Sequence, residues 1–477
     1  MQTKNLIGGE WIEARDGALL EVRNPASDAV LASVPSVGAA ETRAAIDAAW
    51  DARTAWGART AADRGGLIAA LAGLMRRDSE RLARLMTLEQ GKPLAEARGE
   101  VGYAASFLEW AAEEGKRLYG DIVPASAADK RILVLRQPVG VTAIITPWNF
   151  PAAMITRKLG PALAAGCPVI IKPAEETPLS AIAIGELACE AGIPGGVINI
   201  VTGEPAEISG EIFDDDRVRK LSFTGSTEIG RLLMGKASKN LLRLSLELGG
   251  HAPFIVFDDA DLDKAVPAAV ACKFRNAGQT CICANRFYVQ AGVHDAFVAR
   301  FSEAVSALRV GEGTAEGVTV GPLINDDAVA KVEEHVDNAR SLGGRVPVGG
   351  KRVRLEGLAD RFYEPTLIEG MKPEMLIARE ETFGPVAPVA SFTDEAEVIE
   401  QANASEYGLA AYFFTRDASR LMRVAEALEY GIVGANDGGP STAQAPFGGV
   451  KHSGFGREGG RYAMDEYTEV KYVSWQL

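Results

Sequence analysis

The stretch GVTAIITPWNFPAAMITRKLGPALAAGCPVIIKP, residues 140–173, decides the fold class of this 477-residue chain. It holds a β-rich apolar run, then a helical pattern of apolar residues, then a second β-rich run. The alternation continues through residues 178–225, which end in VRKLSFTG. Strand–helix–strand alternation predicts an α/β fold with a parallel, doubly wound sheet, whose ligand-binding loops lie at the carboxyl ends of the strands.

The regions on either side of this stretch predict further elements. Residues 39–117 carry apolar residues at three- and four-residue steps, which indicates helices. A second alternating block runs from APFIVF (252–257) to about residue 446 and predicts a second α/β domain. The tail EYTEVKYVSWQL (466–477) has the pattern of a terminal strand. Because the chain exceeds the length at which one core keeps growing, we expect two or three domains.

Composition and charge exclude several classes of protein. A hydrophobic share of 47 % with 24 % charged residues is typical of a soluble globular protein. The formal charge of −14 argues against nucleic acid or an anionic membrane as partner, since both attract basic patches. The N-terminus has no signal-peptide pattern and no apolar run is long enough to span a bilayer, so we expect a cytoplasmic protein.

The cysteines and histidines predict neither a disulfide framework nor a metal site. The five cysteines are too few and too unevenly spaced for a framework, and the four histidines are scattered. We therefore expect no metal in catalysis. The cysteines are Cys167, Cys189, Cys272, Cys281 and Cys283.

Two residues are candidates for nucleophile and base. Cys281 lies in FRNAGQTCICANR (274–286), where Arg275 and Arg286 could lower the pKa of its thiol, although a single cysteine is more often an inert small apolar residue. Glu247 follows an apolar run and precedes two glycines, so we expect it to be partly buried with a raised pKa. The alternative for Glu247 is a structural carboxylate held by hydrogen bonds.

Two further patterns are candidates for holding a nucleotide. Gly225 and Gly230 stand five residues apart after a strand, and Ser226 or Thr227 could cap the following helix, whose N-terminal amides can hold a phosphate. The alternative is an ordinary capped helix. Lys172 and Glu175 follow an apolar strand, where they could bind ribose hydroxyl groups, and the alternative is a solvated turn.

The order of seven motifs is more specific than any one of them. Together they resemble the NAD(P)-dependent aldehyde dehydrogenase superfamily over essentially the whole chain, and the interval of 34 residues between Glu247 and Cys281 (281 − 247) is similar to the base-to-nucleophile spacing of that family. The motifs are TPWNFP (146–151), KPAEETP (172–178), FTGSTEIG (223–230), LELGGHAP (246–253), GQTC (278–281), EETFGPV (380–386) and PFGGVKHSG (446–454).

The resemblance implies a catalytic mechanism. Cys281 is expected to attack the aldehyde carbon, and the side-chain amide of Asn149 and the backbone N–H of Cys281 are expected to hold the oxyanion. Loss of hydride to the nicotinamide then gives a thioester. Glu247 is expected to activate the water that hydrolyses the thioester and to help deprotonate Cys281. The presence of this base predicts a free acid as product and argues against transfer to coenzyme A.

The resemblance also implies a cofactor site. A carboxylate at position 175 accepts hydrogen bonds from free ribose hydroxyl groups and repels a 2′-phosphate, so we expect NAD, with NADP possible but less favoured. Glu381 corresponds to the carboxylate that holds the nicotinamide ribose. The residues expected at the cofactor are Trp148, Lys172, Glu175, Gly225, Ser226, Glu381 and Phe383.

The segments MITRKLGPALAAG and FRNAGQTCICANR are similar to the succinate-semialdehyde dehydrogenase branch of the family. Arg157 and Arg275 correspond there to arginines that bind the distal carboxylate of the substrate, a group that the planar guanidinium fork suits. The alternative for each is a surface arginine facing solvent. Ser441 corresponds to a serine that contacts the same carboxylate.

The segment NDGGPSTAQAP (436–446) departs from the pattern of that branch and leaves the chain length of the substrate open. Glutarate or 2-oxoglutarate semialdehyde is one alternative to succinate semialdehyde. An uncharged aldehyde is a second alternative, which the two arginines disfavour. A non-enzymatic binding or structural protein is a third, against which the presence of Cys281, Glu247 and Asn149 counts.

Cys283 has two interpretations. It packs near the site, or it resembles the partner cysteine that some members of the branch use to form a reversible disulfide with Cys281. Residues two apart can form such a bond only where the loop bends sharply enough to bring their Cα atoms within about 7 Å.

The resemblance finally implies a Rossmann-type cofactor domain, an α/β catalytic domain and a small β oligomerisation element. The expected cofactor domain is 1–117 with 139–247, and the expected catalytic domain is 248–446. The expected oligomerisation element is 118–138 with 463–477. We expect a homodimer or homotetramer, since exposed terminal strands otherwise present unpaired edges.

Overall fold

The computed structural model describes residues 2–477, and the predicted helices of residues 39–117 are present in it. Short 3₁₀ segments lie at Gly115–Arg117, Ser238–Asn240 and Arg275–Gly278. The α-helices are α1 (Ala39–Gly57), α2 (Ala61–Arg77), α3 (Ser79–Gln90), α4 (Leu94–Glu114), α5 (Ala153–Ala165), α6 (Pro178–Glu190), α7 (Pro205–Asp214), α8 (Thr227–Ala237), α9 (Leu262–Phe274), α10 (His294–Ser306), α11 (Asp326–Ser341), α12 (Leu376–Arg379), α13 (Glu395–Asn403), α14 (Ala418–Ala427) and α15 (Tyr462–Glu466).

The strands form two large sheets and several small ones. They are β1 (Asn5–Ile7), β2 (Glu10–Ile12), β3 (Leu19–Arg23), β4 (Val30–Pro35), β5 (Asp121–Val123), β6 (Lys130–Pro138), β7 (Val141–Ile145), β8 (Val169–Lys172), β9 (Ile198–Ile200), β10 (Val218–Thr224), β11 (Arg243–Glu247), β12 (Ala252–Val256), β13 (Ala284–Gln290), β14 (Arg345–Val348), β15 (Arg352–Val353), β16 (Phe362–Tyr363), β17 (Thr366–Glu369), β18 (Val386–Phe392), β19 (Tyr407–Gly408), β20 (Ala410–Phe414), β21 (Ile432–Ala435), β22 (Val450–Lys451), β23 (Gly454–Phe455) and β24 (Thr468–Gln476).

The first large sheet has the order β2-β1-β9-β8-β7-β10-β11-β23. Its central strands, from β9 to β11, run parallel, while β1, β2 and β23 pair antiparallel at the edges. The chain winds from β7 through β8 to β9 on one side and then returns to place β10 on the other side of β7. This arrangement confirms the predicted doubly wound sheet, and its switch point lies between β7 and β10.

The first sheet is buried on both faces because successive apolar residues along its strands point to opposite faces, so that both faces are apolar. In β8, Val169 and Ile171 pack into the core shared with α2 to α6, whereas Ile170 packs into the core shared with α1, α7 and α8. Pro178 occupies the first turn of α6, where a missing N–H is tolerated, and Gly192 just beyond that helix has φ +80°. The local signals in the sequence therefore agree with the layers that form.

The second large sheet has the order β14-β17-β18-β13-β12-β20-β21. All pairs run parallel except the edge pair of β14 with β17. This sheet begins with β12 in its middle and grows to both sides, so it is also doubly wound. A mixed α/β architecture with two such sheets agrees with the predicted fold class.

A three-stranded antiparallel sheet joins the chain terminus to an earlier hairpin in the order β24-β6-β5. The terminal strand pairs with β6 along its whole length, from Thr468 opposite Pro138 to Gln476 opposite Lys130. Large apolar side chains on this sheet are exposed, including Ile122, Tyr472 and Trp475. The terminal strand is thus present as predicted, while the assignment of residue ranges to three domains stays a prediction.

One strand, β23, lies in a segment for which no strand was predicted. β23 follows the second sheet in the chain but pairs with β11 of the first, with Glu247 opposite Gly454. The chain therefore crosses back to the first sheet near residue 454. Within residues 2–477, none of the helices combines the length and the apolar character needed to cross a membrane.

Candidate active site

A cavity of about 630 Å³ opens at the carboxyl ends of β7 and β10, which is the switch point of the first sheet. Cys281 and Asn149 lie in its wall, so the candidate nucleophile faces the same space as the candidate cofactor residues. The cavity lies where a nucleotide pocket is expected in a doubly wound fold. The seven predicted cofactor residues all line it: Trp148, Lys172, Glu175, Gly225, Ser226, Glu381 and Phe383.

One wall of the cavity is the N-terminus of α8. Ser226 caps this helix, because its hydroxyl oxygen accepts a hydrogen bond of 3.3 Å from the backbone N–H of Ile229. Gly230 allows a close approach, since a Cβ atom there would lie 2.5 Å from Cδ2 of Leu248. The remaining amides of the first turn of α8 are available to a phosphate group.

The edge of the cavity beyond β8 carries charged side chains. Lys172, which is 3 % exposed, forms an ion pair with the half-buried Glu175. Glu176 also lines the cavity, and burial raises the pKa of its carboxyl. Because Lys172 is buried and paired, the solvated-turn interpretation of this segment is wrong.

A third carboxylate, that of Glu381, lines the same cavity. Glu381 accepts a hydrogen bond of 3.2 Å at Oε1 from the backbone N–H of Gly250, and burial raises its pKa to about 7. Phe383, two residues on, meets the ring of Trp148 edge-to-face with centroids 5.6 Å apart. A carboxylate oxygen and two aromatic rings thus border the part of the cavity that also contains Cys281.

Cys281 follows a segment with an unusual backbone. Asn276, Ala277 and Gly278 have successive φ values of +52°, +55° and +75°. A Cβ atom at Gly278 would lie 2.1 Å from the carbonyl oxygen of Gly384, so only glycine fits there. Left-handed conformations at two non-glycine residues cost about 1–3 kcal/mol each, and the surrounding contacts must offset this strain.

The thiol of Cys281 is not acidified in this structure, contrary to the sequence expectation. Burial raises its pKa to about 12, and the guanidinium groups of Arg157 and Arg275 only partly oppose that rise. Arg286 does not act as a neighbouring cation, because it donates hydrogen bonds to the carbonyl oxygens of His251 and Ala402. The thiol is therefore protonated near neutral pH and needs a base to become a nucleophile.

Asn149 lies directly beside the segment that ends in Cys281. Its side-chain Nδ2 donates a hydrogen bond of 3.1 Å to the carbonyl oxygen of Gln279, and Oδ1 has no partner among the described residues. Its backbone carbonyl accepts hydrogen bonds from Lys92 at 2.7 Å and from Asn276 at 3.0 Å. The main chain of Asn149 is thus fixed while its side-chain amide adjoins the candidate nucleophile.

Glu247 is the last residue of β11 and pairs with Thr224 of β10 in the sheet register. It is 2 % exposed, and neither carboxylate oxygen has a hydrogen-bond partner among residues 2–477. Burial raises its pKa well above the usual range, and the nearby Glu458 carboxylate adds to the rise. The interpretation as a structural carboxylate held by hydrogen bonds is wrong, and an unsatisfied buried carboxyl is suited to exchange protons.

Arg157 lies on α5 and is 1 % exposed, so the interpretation as a solvent-facing arginine is wrong. Its Nε lies 2.6 Å from Oε2 of Glu458, and its guanidinium stacks 3.8 Å from the ring centroid of Phe447. Nη2 has no partner among the described residues. The group is therefore partly engaged by Glu458 and keeps a free N–H edge.

Arg275 differs from Arg157 because it is exposed and forms no ion pair or hydrogen bond with any described residue. Its guanidinium lies 5.2 Å from the ring centroid of Phe150. Its charge acts on Cys281, whose pKa it lowers. An unpaired guanidinium beside the candidate nucleophile is available to an anion.

Ser441 meets α4 at the same side of the site. Its hydroxyl oxygen lies 2.5 Å from the phenolic oxygen of Tyr103, so a substrate must compete with Tyr103 for this hydroxyl group. The three candidate substrate-binding residues, Arg157, Arg275 and Ser441, do not line the cofactor cavity. They therefore lie apart from the residues expected to bind the nucleotide.

Cys283 is buried, and its thiol donates to the carbonyl oxygen of Lys273 at a distance of 3.3 Å. Both Cys281 and Cys283 are free thiols in the structure. The packing interpretation agrees with this contact, and a reversible disulfide with Cys281 stays a prediction.

Two charged residues near the site were not identified from the sequence. Glu458 forms ion pairs with Arg157 and Lys158, and Lys92 donates to the carbonyl of Asn149. Glu458 lies in the sequence GREGG, whose glycines were the only local hint of a close approach. Lys92 lies in the sequence QGKP and carried no hint of its distant partner.

Comparisons with known proteins agree with this geometry. The model of the aldehyde dehydrogenase family matches residues 11–473. The succinate-semialdehyde dehydrogenase [NADP(+)] GabD of Escherichia coli is 59 % identical over 98 % of this chain and 96 % of its own length. A glutarate-semialdehyde dehydrogenase of Pseudomonas putida is 57 % identical over the same shares, 98 % and 96 %. The crystal structure of an E. coli NADP-dependent enzyme superimposes with a TM-score of 0.98 at 58 % identity, covering 100 % of this chain and 98 % of the other.

Proposed function

The chain belongs to the aldehyde dehydrogenase family, and from that premise we propose that it oxidises an aldehyde with a distal carboxylate, foremost succinate semialdehyde, to the free acid. The family uses NAD or NADP. The observation that carries the substrate class is the exposed, unpaired guanidinium of Arg275 beside Cys281.

The first step is attack of Cys281 on the aldehyde carbon. The sulfur–carbon bond forms as the thiol proton passes to the carboxylate form of Glu247, whose own raised pKa makes it a competent acceptor. The electron pair of the carbonyl becomes an oxyanion, which the side-chain amide of Asn149 and the backbone N–H of Cys281 stabilise. Loss of one such donor costs about 3–4 kcal/mol in comparable sites.

The cavity fits a dinucleotide by its own chemistry. The capped start of α8 offers free backbone amides to phosphate, and Lys172 with Glu175 offers polar groups to a ribose. Glu381, which accepts only one hydrogen bond from Gly250, has capacity to accept from a second ribose. When bound, the nicotinamide cofactor accepts a hydride from the substrate carbon.

Glu247 then acts as the base in hydrolysis of the thioester that remains on Cys281. After the proton taken from Cys281 has passed to solvent, the carboxylate of Glu247 takes a proton from water, whose oxygen attacks the acyl carbon. The carbon–sulfur bond breaks, and the proton held by Glu247 returns to the sulfur, which releases the acid and the thiol. The lack of a hydrogen-bond partner for either carboxylate oxygen supports this role, because a base that is held by other donors transfers protons less readily. The presence of this base supports hydrolysis over transfer to coenzyme A.

The preference for NAD over NADP is part of the proposal. Glu175 and Glu176 both line the cavity edge beyond β8, and two carboxylates there oppose a 2′-phosphate. Because the E. coli relative is named for NADP(+), the preference of this chain must be tested by comparing kcat/KM with NAD and with NADP.

Glutarate semialdehyde is the main alternative substrate, because the relative of Pseudomonas putida is named for it. 2-Oxoglutarate semialdehyde is a further alternative with the same distal anion. The hydroxyl of Ser441 is hydrogen-bonded to Tyr103. The space available for the carbon chain of the substrate therefore depends on whether this hydrogen bond breaks. An uncharged aldehyde leaves Arg275 unused and is disfavoured.

The quaternary structure and location complete the proposal. Exposed apolar side chains on the β24-β6-β5 sheet support association of this sheet with further copies of the chain, as a homodimer or homotetramer. The cytoplasmic location expected from the sequence stays a prediction.

The experiment compares kcat/KM for succinic, glutaric, malonic and 2-oxoglutaric semialdehydes with betaine aldehyde and butanal, each with NAD and NADP. We expect the carboxylated aldehydes to exceed the others by about 10–100-fold, as expected for one charged hydrogen-bonded contact of 1.5–3 kcal/mol. Equal rates for butanal and every carboxylated aldehyde contradict the substrate class. Equal kcat/KM with the two nucleotides contradicts the NAD preference only.

A further inference from the structure

A group of buried or partly buried charges lies at the beginning of α4, outside the groups that the proposed chemistry uses. It consists of Lys92, Glu96 and Glu100, which we call the α4 charge cluster. Lys92 and Glu100 are 2 % and 4 % exposed, and Nζ of Lys92 lies 2.5 Å from Oε2 of Glu100. Burying such charges is costly unless each is paired and hydrogen-bonded. The partners of these charges therefore indicate what the cluster does.

The contacts of Lys92 and Glu100 lead to the loop between β7 and α5. Nζ of Lys92 donates to the carbonyl oxygen of Asn149 at 2.7 Å and lies 3.9 Å from the ring centroid of Phe150. Oε1 of Glu100 accepts from the backbone N–H groups of Ala152 and Ala153 at 3.0 and 3.2 Å. The ion pair therefore fixes the main chain on both sides of Phe150 and satisfies free amides at the start of α5.

The contact of Glu96 leads to the other half of the site. Its Oε2 accepts from the backbone N–H of Asn276 at 2.8 Å. Asn276 is the first of the three residues with positive φ that precede Cys281. Its side chain donates in turn to the carbonyl oxygen of Asn149 at 3.0 Å. The carboxylate thus helps to hold a strained turn that relaxed backbone would not adopt.

Phe150 connects the two contacts. The centroid of its ring lies 3.9 Å from the ammonium of Lys92 and 5.2 Å from the guanidinium of Arg275. Burial raises the pKa of Glu96, and the charge of Arg275 partly opposes that rise. Burial lowers the pKa of Lys92, and the charge of Arg275 adds to that fall. Residues 92–100 therefore contact the main chain of Asn149 and the turn of residues 275–278. They also lie near Arg275, the candidate anion-binding arginine.

We propose that the α4 charge cluster positions the amide of Asn149 and the turn of residues 275–278 relative to Cys281. It acts on the addition of the thiol to the aldehyde and on hydride loss, and not on cofactor binding. This inference rests on the proposed function, because it assigns to Asn149 and Cys281 the roles given there. Lys92, Glu96 and Glu100 are positioning residues, since none of them lines the cavity that holds Cys281.

A purely structural role predicts a different result. If the cluster only stabilises the fold, its loss lowers the unfolding temperature and leaves the reaction of the folded fraction unchanged. If it positions the two halves of the site, a displacement of about 1 Å slows the chemical step by roughly a hundredfold while cofactor affinity is kept. The two roles separate in a single-turnover experiment.

The test measures NADH formation in a single turnover, with enzyme in excess over succinic semialdehyde or butanal. The variants are Lys92→Met, which keeps the side-chain length without the ammonium, Glu96→Ala and Glu96→Gln. Lys220→Met is the matched control, because Lys220 is also fully buried and paired with one carboxylate, Glu466, but has no contact with the loops of the site. NAD affinity is measured through the quenching of tryptophan fluorescence.

We expect Lys92→Met to slow the single turnover by about 10–100-fold and Glu96→Ala by about tenfold. We expect Glu96→Gln, which still accepts from Asn276, and Lys220→Met to stay within about threefold of the wild-type rate, with NAD affinity equally preserved. Hydrogen exchange supplies a readout without cofactor: the peptide 274–281 should exchange faster in Glu96→Ala than in Glu96→Gln.

The results that overturn the inference are equally specific. They are rates within about twofold of wild type for Lys92→Met and Glu96→Ala, an equal loss in Lys220→Met, or a failure of Glu96→Gln to restore the rate. If Lys92→Met does not fold, the pair at position 96 decides alone. Absence of single-turnover NADH from the wild-type protein with both aldehydes overturns the proposed function instead, and so the two failures are distinguished.

Discussion

The two large sheets contribute to the candidate site in different ways. The first sheet presents its groups at the carboxyl ends of parallel strands: Asn149 after β7, Ser226 after β10 and Glu247 at the end of β11. The second sheet presents Cys281 from the segment that leads into β13, through a turn with three successive positive φ values. The first contribution follows from the topology of any doubly wound fold, whereas the second depends on a particular strained turn.

This difference shows how the site is assembled. The turn before Cys281 is held by groups of the first half of the chain, since Glu96 accepts from Asn276 and Asn149 donates to Gln279. The cofactor cavity, in contrast, is built mostly around the first sheet. Binding of the nucleotide and reaction of the thiol should therefore be separable by substitution.

The largest effect is expected for Cys281→Ala. Removal of the nucleophile should lower NADH formation by at least about 10⁴-fold, because a covalent step has no substitute group in the site. NAD affinity, measured by quenching of tryptophan fluorescence, should stay within about threefold of wild type. Loss of NAD affinity would break the comparison, since it would mean that the segment leading into β13 also builds the nucleotide site.

Arg275→Ala should lower kcat/KM for succinic semialdehyde by about 10–100-fold, because a charged hydrogen bond contributes 1.5–3 kcal/mol. The value for butanal should change by less than about threefold. Arg416→Ala, which removes an exposed arginine paired with Asp261, is the control and should leave both values unchanged. An equal loss for both aldehydes would indicate that Arg275 supports the turn and does not bind the anion.

Glu175→Ser tests the cofactor side alone. Removal of this carboxylate should reduce the ratio of kcat/KM with NAD to that with NADP by about tenfold, through better use of NADP. Glu176→Ser is the comparison and should lower the ratio by less, because the family resemblance assigns Glu175, and not Glu176, to the cofactor. A ratio that does not move in Glu175→Ser contradicts the assignment of Glu175 to the ribose that distinguishes the two nucleotides.

Glu458→Gln should have the smallest effect on the maximal rate and a visible effect on pH dependence. The Glu458 carboxylate raises the pKa of Glu247, while Lys158 and Arg157 lower it. Removing the negative charge, and freeing the two cations from it, should lower the pKa of Glu247. The acidic limb of the kcat profile should therefore move to lower pH.

The control for this prediction is the unfolding temperature, which should fall because two buried cations lose their partner. Profiles are then compared below the temperature at which the variant unfolds. An acidic limb that stays in place, or that moves to higher pH, contradicts the coupling of Glu458 to Glu247.

Much of the fold could be predicted from the sequence because the signals were local. The apolar runs of β7 and β8 and the helix of residues 153–165 between them depend on residues close in the chain. The candidate site at the ends of β7, β10 and β11 followed from the same reasoning. The motif order and its family resemblance added the residues, such as Glu381 and Phe383, that no local pattern identifies.

The remainder depended on contacts between distant residues. Nothing near Ala277 signals a left-handed conformation, because alanine rarely adopts it without support from tertiary contacts. Arginine is rarely fully buried, so the sequence left a solvent-facing position open as the alternative for Arg157, and its contacts with Glu458 and Phe447 exclude that alternative. The same reason hid Lys92 and Glu458, whose partners lie far away in the chain.

The central claim is that Cys281 carries the acyl group and that Glu247 releases it. Glu247→Gln, incubated with succinic semialdehyde and NAD, is digested at low pH and the peptide that contains Cys281 is weighed by mass spectrometry. The account predicts that NADH forms more slowly than in the wild type, because glutamine cannot accept the thiol proton and solvent must take it, and that NADH formation stops at a single equivalent per site with a succinyl thioester on that peptide. Continued turnover, or NADH formation with no acyl group on Cys281, would contradict it.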